Sequence, residues 1–414
     1  MRLVTTAISI LIIGLICYSP ALAFKPLFRA RMDYEVGKKP QAVCSADVNA
    51  DGYPDMVTAN FDSHNVSVLV NRGDGTYNPT KYYAVGDSPR WVFAADFNGD
   101  AMTDLAVTNY SSDDISILIN NGDGTFQQHV DYDVGDGPLS AYSADLDGNG
   151  NNDIAVTNFN DNTVSVLFNN GDGTFEFNVE LAMAGNPTAV FSADFDNDYD
   201  NDLIVASSSS NEIAIFFNNG NGIYGAATYY SVGDLPQSVY GEDFDDDHDI
   251  DLVVANQESG SVSILFNNGN GSFGDKIDYS VGETPFSVFC ADFNADSHPD
   301  IVTANRWAST LTILLNCGDG SFHLPINYNM NREPTCVTSS DTDGDGYYDL
   351  VVSYYRVDVV SVLKNDGDGT FPDATYFDVE DAPRSVSSAD FDSDGDNDLA
   401  IANYLSNNVQ ILLN

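Results

Sequence analysis

The stretch "DFDSDGDND", Asp390 to Asp398, places five aspartates at alternate positions of a nine-residue segment. Two carboxylates at contact distance repel each other by about 1 kcal/mol in water and by several times that near a protein surface, so this crowding requires a compensating charge. Acids at the first, third, fifth and ninth positions, with Gly395 sixth, match a tight Ca²⁺-binding loop whose seventh residue offers its backbone carbonyl. The stretch therefore predicts a calcium loop, although Asp, Asn and Gly also cluster in ordinary turns.

The same pattern recurs at a fixed interval of 49 residues, beginning at Asp47, Asp96, Asp145, Asp194, Asp243, Asp292, Asp341 and Asp390. A proline keeps the same register, at Pro40, Pro89, Pro138, Pro187, Pro236, Pro285, Pro334 and Pro383. A turn resembling "NNGDGTF" does so too, with its leading residue at Asn71, Asn120, Asn169, Asn218, Asn267, Asn316, Asn365 and Asn414. A strict period without insertions indicates a repeat architecture whose neighbouring units share a core.

Each unit contains four short segments with the composition of β-strands. In the sixth unit they are "SVFCAD", "DIVTAN", "LTILLN" and "INYNM", and four antiparallel strands per unit predict one propeller blade. The eighth unit ends after its third strand, while an unmatched segment, "FRARMDYEV" (Phe28 to Val36), precedes the first proline. We therefore predict an all-β, eight-bladed β-propeller of four-stranded antiparallel blades, closed by the N- and C-terminal strands. The alternative is a seven-bladed ring.

Residues 1–23 have the features of a secretion signal. Arg2 is followed by an apolar run from Ala7 to Cys17 and by "ALA" at Ala21 to Ala23. The run is short for a membrane span, and an uncleaved anchor or lipid attachment is the alternative. Residues 24–414 then form a single domain of eight repeats, which we expect to be a monomer, secreted or at the cell surface, with no membrane span after signal cleavage.

The chain is strongly acidic, with 63 acidic and 15 basic residues and a formal net charge of −48. Nucleic acid and anionic lipid would repel such a chain, so no nucleic-acid partner is expected. Four cysteines follow the signal, Cys44, Cys290, Cys317 and Cys336, and their spacing implies no pairing. We interpret them as small strand residues, with a Cys317–Cys336 disulfide as the alternative.

The recurring motifs "DFDxDGxxD" and "YxVGxxP", together with the "NNGDGTF" turn after an alternating apolar strand, resemble FG-GAP or VCBS repeats. These repeats form the propellers of integrin alpha subunits and of many secreted microbial proteins. The resemblance covers nearly all of the chain after the signal and implies a calcium-bearing β-propeller. It implies less about function, because the family includes adhesion modules, lectins and scaffolds of polysaccharide lyases, and a fold does not determine a function.

Matching the family's loop position by position implies four side-chain ligands in each copy and up to eight Ca²⁺ ions. The implied ligands are Asp47, Asn49, Asp51 and Asp55; Asp96, Asn98, Asp100 and Asp104; Asp145, Asp147, Asn149 and Asp153; Asp194, Asp196, Asp198 and Asp202; Asp243, Asp245, Asp247 and Asp251; Asp292, Asn294, Asp296 and Asp300; Asp341, Asp343, Asp345 and Asp349; and Asp390, Asp392, Asp394 and Asp398. The sixth position is Gly in four copies but Ala101, Tyr199, His248 and Ser297 in the others. If that position needs a positive φ, those four loops are either strained or differently folded.

The sequence offers no recognisable catalytic constellation, since its five histidines fall at unrelated positions of the repeat. The connections after the second and fourth strands diverge between copies and, in an up-and-down blade, lie on the face opposite the calcium loops. Scarce basic residues and both tryptophans map to that face, on an arc of consecutive blades across the ring closure. The candidate ligand-binding residues are Arg90, Trp91, Arg306, Trp307, Arg356 and Arg384. Alternatively, Phe61, Tyr110, Phe159 and Tyr404 pack between blades while these arginines balance local acids.

We expect the chain to be a calcium-stabilised binding or adhesion module for an extracellular ligand, an acidic glycan or an acidic protein, because arginines beside flat aromatic rings suit carboxylate or sulfate recognition and sugar stacking. The alternative is a carbohydrate-active enzyme, such as a polysaccharide lyase, on the same scaffold. A lyase would need a compact cluster of Arg, Lys, Tyr or His at a central cleft.

Overall fold

The computed structural model of the chain describes residues 27–354, 356–372 and 374–414. These residues form eight four-stranded antiparallel sheets, one after another along the chain, and they contain no helix. The described part of the chain therefore has no helix that is long and apolar enough to cross a membrane. The predicted secretion signal, residues 1–23, lies outside the described residues.

The strands, numbered β1 to β32 along the chain, occupy four positions in each blade. The innermost strands are β2 (Pro40–Ala46), β6 (Pro89–Ala95), β10 (Pro138–Ala144), β14 (Pro187–Ala193), β18 (Pro236–Glu242), β22 (Pro285–Ala291), β26 (Cys336–Ser340) and β30 (Pro383–Ala389). The second strands are β3 (Asp55–Asn60), β7 (Asp104–Asn109), β11 (Asp153–Asn158), β15 (Asp202–Ser207), β19 (Asp251–Asn256), β23 (Asp300–Asn305), β27 (Asp349–Ser353) and β31 (Asp398–Asn403). The third strands are β4 (Asn65–Leu69), β8 (Asp114–Leu118), β12 (Thr163–Asn169), β16 (Glu212–Phe216), β20 (Ser261–Leu265), β24 (Thr310–Leu314), β28 (Val359–Leu363) and β32 (Asn408–Leu413). The outermost strands are β5 (Lys81–Ala84), β9 (Val130–Asp133), β13 (Phe175–Ala182), β17 (Thr228–Ser231), β21 (Ile277–Ser280), β25 (Ile326–Asn329), β29 (Ala374–Asp378) and, in the closing blade, β1 (Ala30–Glu35).

The ring closes by pairing the two ends of the described chain. Strand β1 runs antiparallel to β32, with Ala30 opposite Leu413 and Glu35 opposite Asn408. Each innermost strand adjoins the innermost strands of both neighbouring blades, including β2 with β30 across the closure. The predicted eight-bladed ring with strand closure is thus confirmed, and the seven-bladed alternative is wrong.

The hydrophobic core is divided among the eight interfaces between adjacent blades. Second and third strands, such as β7 and β8, are buried along their whole length because neighbouring blades cover both faces of the sheet. One cluster joins Val57 and Val68 of the first blade to Leu105 and Leu118 of the second. No blade completes a core alone, so each depends on its neighbours for stability. All four described cysteines are free, and the Cys317–Cys336 disulfide considered above is wrong.

The eight loops between innermost and second strands share one backbone conformation. Their sixth residues all have positive φ: Gly52, Ala101, Gly150, Tyr199, His248, Ser297, Gly346 and Gly395. The backbone N–H of that sixth residue donates to the Oδ2 atom of the first aspartate in every loop, at 2.8–3.0 Å. The fourth residues also have positive φ in all eight loops, which the sequence did not suggest. At the sixth position, four loops therefore keep the common turn and accept the strain of a side chain in the left-handed region.

Each blade is tied to the preceding one by the asparagine that begins the turn between its third and outermost strands. In the fifth blade, Asn267 Nδ2 donates to the carbonyl of Phe195 in the preceding blade's loop at 2.9 Å and to that of Ile250 at 3.2 Å. Its Oδ1 accepts the N–H of Gly269 at 3.1 Å. Equivalent bonds to the preceding loop are made by Asn71, Asn120, Asn169, Asn218, Asn316, Asn365 and Asn414. We call these eight residues the clip asparagines.

We predict that Asn267→Ala lowers the free energy of unfolding by about 1–3 kcal/mol, because it leaves buried backbone groups of two blades without partners. The control is Asn268→Ala, since Asn268 is exposed and bonds only to Ser272 within its own turn. Urea unfolding of both variants, in the same calcium concentration, measures the difference. Equal effects of the two substitutions would show that the clip does not stabilise the blade interface.

We also predict opposite effects for two substitutions at the sixth loop position. Tyr199 is 96% exposed at a φ of 74°, so Tyr199→Gly removes backbone strain without removing packing and should raise stability by about 0.5–1 kcal/mol. Gly395 has a φ of 96°, and a Cβ added there would contact nothing within 4 Å, so Gly395→Ala introduces only strain and should lower stability by about 1 kcal/mol. Thermal unfolding at saturating calcium measures both; changes of the same sign would contradict a strain origin.

Candidate functional site

The ninth residue of each acidic loop is a fully buried aspartate that connects the loop to the clip asparagine. In the fifth blade, Asp251 Oδ2 accepts the N–H of Phe244 at 2.9 Å, and Oδ1 accepts the N–H of Asn267 at 2.7 Å. Burial raises the pKa of Asp251 to about 7, although these two bonds act in the opposite direction. Repulsion from nearby Asp245 and Asp247 contributes to this rise in pKa. A buried carboxylate beside other acids is stabilised in its charged form by a bound cation.

The same shift, with burial as the main cause, occurs in every blade. The pKa is raised to about 6 or 7 for Asp55, Asp104, Asp153, Asp202, Asp300 and Asp398. For Asp349 the direction is also upward. The loops therefore present eight equivalent sites of concentrated negative charge, all on one face of the ring.

The third residue of four loops carries a carboxylate oxygen that fits a metal ligand. The Oδ1 atoms of Asp196, Asp245, Asp343 and Asp392 are buried and accept no hydrogen bond from any described residue. An unpartnered buried oxygen is costly unless a donor or a cation faces it. The first, third and ninth aspartates also converge: carboxylate oxygens lie within 4.8 Å of one another in the sets Asp145, Asp147, Asp153; Asp194, Asp196, Asp202; Asp243, Asp245, Asp251; and Asp341, Asp343, Asp349. These oxygen clusters could hold a hard divalent metal ion.

Loops with an asparagine at the third position are more completely bonded within themselves. Asn49 Nδ2 donates to Asp51 Oδ2 at 2.8 Å, while its Oδ1 accepts the N–H of Asp51 at 3.0 Å. Asn98 and Asn294 make the corresponding amide bonds to Asp100 and Asp296. The first, second and sixth loops thus have one carboxylate fewer than a loop with four aspartates, as does the third loop, whose fifth position is Asn149.

Two loops receive a basic side chain from elsewhere in the chain, which sequence spacing did not indicate. Lys364 Nζ pairs with Asp343 Oδ2 at 2.6 Å in the seventh loop. In the eighth loop, Arg29 pairs with Asp392 at 2.8 Å and also with Asp394. The chain itself therefore supplies part of the compensating charge in these two loops.

On the opposite face, two of the predicted arginines meet in one cleft. Arg306 and Arg384, from the sixth and eighth repeats, line a cavity of about 200 Å³ together with Phe286 and Thr335. Arg306 Nε is buried without a hydrogen-bond partner and forms a 3.5 Å ion pair with Glu333. The Arg384 guanidinium lies 5.3 Å from the centre of the Tyr404 ring. We refer to this site as the arginine cleft.

β-Bulges explain why sequence reasoning missed Phe286 as a lining residue. The pairing of β22 with β23 skips from Pro285 to Ser287, and that of β30 with β31 skips from Pro383 to Ser385. Phe286 and Arg384 are the extra residues, and a bulge turns such a side chain away from the regular alternation. The recurring proline one residue earlier is the signal that could have identified both positions.

The remaining residues of the predicted arc do not line the arginine cleft. Arg90 lies beside rings of the first and second repeats, its guanidinium 4.5 Å from the Tyr110 ring centre and 5.9 Å from that of Phe61. Trp91 is 48% exposed on β6, and Arg356 is exposed in a loop of the seventh repeat. The structure thus brings together Arg306 and Arg384, but not the whole arc.

Trp307 belongs to a different cleft, between the fifth and sixth blades on the same face. This cleft has a volume of about 590 Å³, and Trp307, at its edge, is 69% exposed. Its polar lining comes from Gln257, Glu258, Ser259, Glu283 and Thr284. We refer to it as the tryptophan cleft.

Comparison with known proteins is consistent with this architecture. Residues 47–107, 96–156, 145–205, 243–303, 292–352 and 341–401 match the model of the FG-GAP-like repeat. A lectin from Agrocybe aegerita that recognises non-reducing terminal N-acetylglucosamine is 19% identical, with a TM-score of 0.54 over 88% of this chain and 100% of that chain. BBS1N, solved in complex with ARL6DN, is 12% identical, with a TM-score of 0.54 over 94% of this chain and 97% of that chain. A putative 6-phosphogluconolactonase from Bacteroides uniformis is 14% identical, with a TM-score of 0.55 over 86% and 98% of the two chains.

At these identities the likeness to solved structures concerns the fold alone. Comparison with curated protein sequences gives no match. The repeat matches together span residues 47–205 and 243–401, and their boundaries follow the register of the blades. The chain therefore belongs to the FG-GAP-like repeat family of β-propellers.

Proposed function

We propose that the chain is a secreted, calcium-stabilised propeller that binds an acidic extracellular ligand through the arginine cleft. The proposed binding site rests on one observation: Arg306 and Arg384 line the same cleft as Phe286, which is 40% exposed. These three residues come from two different repeats, yet they meet on one face of the ring. Guanidinium groups suit bidentate contacts with carboxylates or sulfates, and an exposed aromatic ring suits the flat face of a sugar. The ligand class is an acidic glycan or an acidic protein segment.

Calcium is the metal that suits the acidic loops best. Their donors are carboxylate, carboxamide and backbone carbonyl oxygens in a flexible turn. Such a set favours Ca²⁺, because Mg²⁺ requires a nearly ideal octahedral arrangement of its ligands. The unpartnered Oδ1 atoms of Asp196, Asp245, Asp343 and Asp392 support this assignment. Bound calcium would neutralise the carboxylates of the first, third, fifth and ninth positions, while the chain's own groups position the loop through the ninth aspartate and the clip asparagine.

A binding role is favoured over a lyase by the composition of the arginine cleft. Its described lining, Phe286, Arg306, Thr335 and Arg384, can neutralise and orient an acid but contains no histidine, lysine or tyrosine to serve as a general base. A lyase needs such a base to remove the proton beside the carboxylate. Incubation with polygalacturonate, followed by assay for unsaturated products, distinguishes the two functions.

We predict that chelation lowers the melting temperature strongly. Sites with dissociation constants near 10⁻⁴–10⁻³ M, held in about 10 mM Ca²⁺, would each stabilise the fold by roughly 1–3 kcal/mol. Differential scanning calorimetry with calcium and with excess chelator measures the change. An unchanged transition in chelator would rule out a stabilising metal.

The effect of a substitution at one ligand position on stability should depend on calcium. Asp196→Ala removes a ligand and should cost about 1–3 kcal/mol in calcium, but in chelator it removes an unpartnered buried oxygen and should be neutral or stabilising. Asp200→Ala is the control, because the seventh position is expected to bind through its backbone carbonyl and the Asp200 side chain makes no hydrogen bond to any described residue. If Asp196→Ala costs the same in both conditions, its role is structural and not metal binding.

We predict that the double variant Arg306→Ala and Arg384→Ala loses affinity for acidic oligosaccharides by at least tenfold, since each charged contact contributes about 1–3 kcal/mol. The probes are polygalacturonate and sulfated oligosaccharides, measured by calorimetry in calcium. The control is Arg72→Ala, because Arg72 lies on the calcium-loop face, where its Nε donates to Asn78.

Binding should also weaken with salt, since exposed charges are screened beyond roughly 10 Å at 0.1 M. Equal losses in control and double variant, or no salt effect, would contradict the proposed site.

A further inference from the structure

The tryptophan cleft has a chemistry opposite to that of the arginine cleft. Glu258 and Glu283 both line it, and neither forms an ion pair within the described part of the chain. Among the residues that the structure describes, no lysine, arginine or histidine lines it. Although Arg306 precedes Trp307 in sequence, its side chain extends to the arginine cleft and pairs with Glu333 there. The cleft therefore combines a large exposed aromatic surface with uncompensated negative charge.

The backbone around the tryptophan cleft is held by hydrogen bonds, and the Ser259 hydroxyl accepts the N–H of Asp234. The side chains of Glu258 and Glu283 make no hydrogen bond within the described residues and remain available to a ligand. The N–H of Gln257 donates to the Leu235 carbonyl at 2.9 Å, and that of Glu258 to the Asp234 carbonyl at 3.1 Å. On the sixth blade, the N–H of Ala308 donates to the Glu283 carbonyl at 3.2 Å. The rim is thus fixed before a ligand arrives, which lowers the entropic cost of binding.

The repeat register shows that this cleft differs from its counterparts by specific residues. Trp307 occupies the loop position held by Asp62, Ser111, Asn160, Ser209, Glu258, Arg356 and Leu405 in the other copies. Trp307 and Glu258 are therefore equivalent residues of adjacent repeats, and they line the same cleft from its two sides. Only between the fifth and sixth blades do a tryptophan and a glutamate hold this position side by side.

We propose that the tryptophan cleft binds a sugar unit that carries a free ammonium group, such as a glucosamine residue of a deacetylated amino-sugar polymer. The indole provides a flat surface for the pyranose ring and attracts a cation through its π-face. Glu258 and Glu283 compensate the ammonium charge. A neutral ligand would instead desolvate the two carboxylates and leave them without a counter-charge, which is costly. The Gln257 side-chain amide, which makes no hydrogen bond within the described residues, is available to the sugar hydroxyls. The volume of about 590 Å³ falls within the usual range of small-ligand sites. This site is separate from the arginine cleft and does not depend on its ligand.

The test is calorimetric titration of the whole protein, in calcium and at a pH where the amine is protonated. The probes are a glucosamine tetramer, its N-acetylated form, a neutral glucose tetramer and a lysine tetrapeptide. We expect the glucosamine tetramer to bind at least tenfold more tightly than the other three. Equal binding of the acetylated or neutral tetramer would overturn the role of the charge. Tighter binding of the peptide would overturn the sugar assignment, and no binding of any probe would overturn the site.

Three variants locate the interaction. Trp307→Ala should weaken glucosamine-tetramer binding at least tenfold, and Glu258→Gln with Glu283→Gln should weaken it about tenfold while leaving any neutral-sugar binding unchanged. The matched control is Leu405→Ala, which removes an exposed apolar side chain (57% exposed) from the same loop position in the eighth repeat. It should bind as the unmodified protein does. All these side chains are exposed, so melting temperatures should stay within a few degrees; full affinity in Trp307→Ala would reject the proposal.

Discussion

The rest of the structure depends on one buried carboxylate per blade, the ninth residue of each acidic loop. In the fifth blade, Asp251 accepts one N–H from its own loop and one from the clip asparagine Asn267. That asparagine in turn donates to the loop of the preceding blade. A single buried carboxyl group thus connects the acidic loop, the turn of the same blade and the neighbouring blade. Because its burial opposes ionisation, the connection is strongest when a cation lies beside it.

This arrangement divides the propeller into two faces with different constraints. The acidic loops and clip turns, which determine how blades join, lie on one face and repeat with the same hydrogen bonds eight times. The connections on the other face also contribute to the blade interfaces, but at one position: the residue before the third strand, such as Asp113 or Asn211, accepts a backbone N–H of the next blade. The exposed side chains of the same connections differ between copies, and it is here that the two clefts of unlike charge lie.

The sequence predicts the fold well because the information is periodic. A proline, an acidic loop and a clip asparagine at one register specify the blade, and the unmatched segment Phe28 to Val36 specifies the closing strand. The ligand face is predicted less well because side-chain direction there depends on local backbone geometry. Arg306 and Trp307 are adjacent in sequence but line different clefts, and a bulge determines where Phe286 points. The pairing of Arg29 with the eighth loop requires the ring to be closed, which no local pattern contains.

The backbone strain in the acidic loops is another consequence of the difference between the two faces. Tyr199 and His248 occupy a backbone conformation that favours glycine, yet their N–H groups donate to the first aspartate as glycine does elsewhere. The turn is therefore imposed by hydrogen bonds to the loop's first aspartate and by the blade contacts, and not by the residue at its apex. Because the acidic-loop face stabilises the fold, Trp307, Glu258 and Glu283 can remain exposed on the opposite face, where the two glutamates form no ion pair with a described residue. Side chains that the fold does not need are available for binding, and a rigid repeat scaffold keeps them in fixed relative positions.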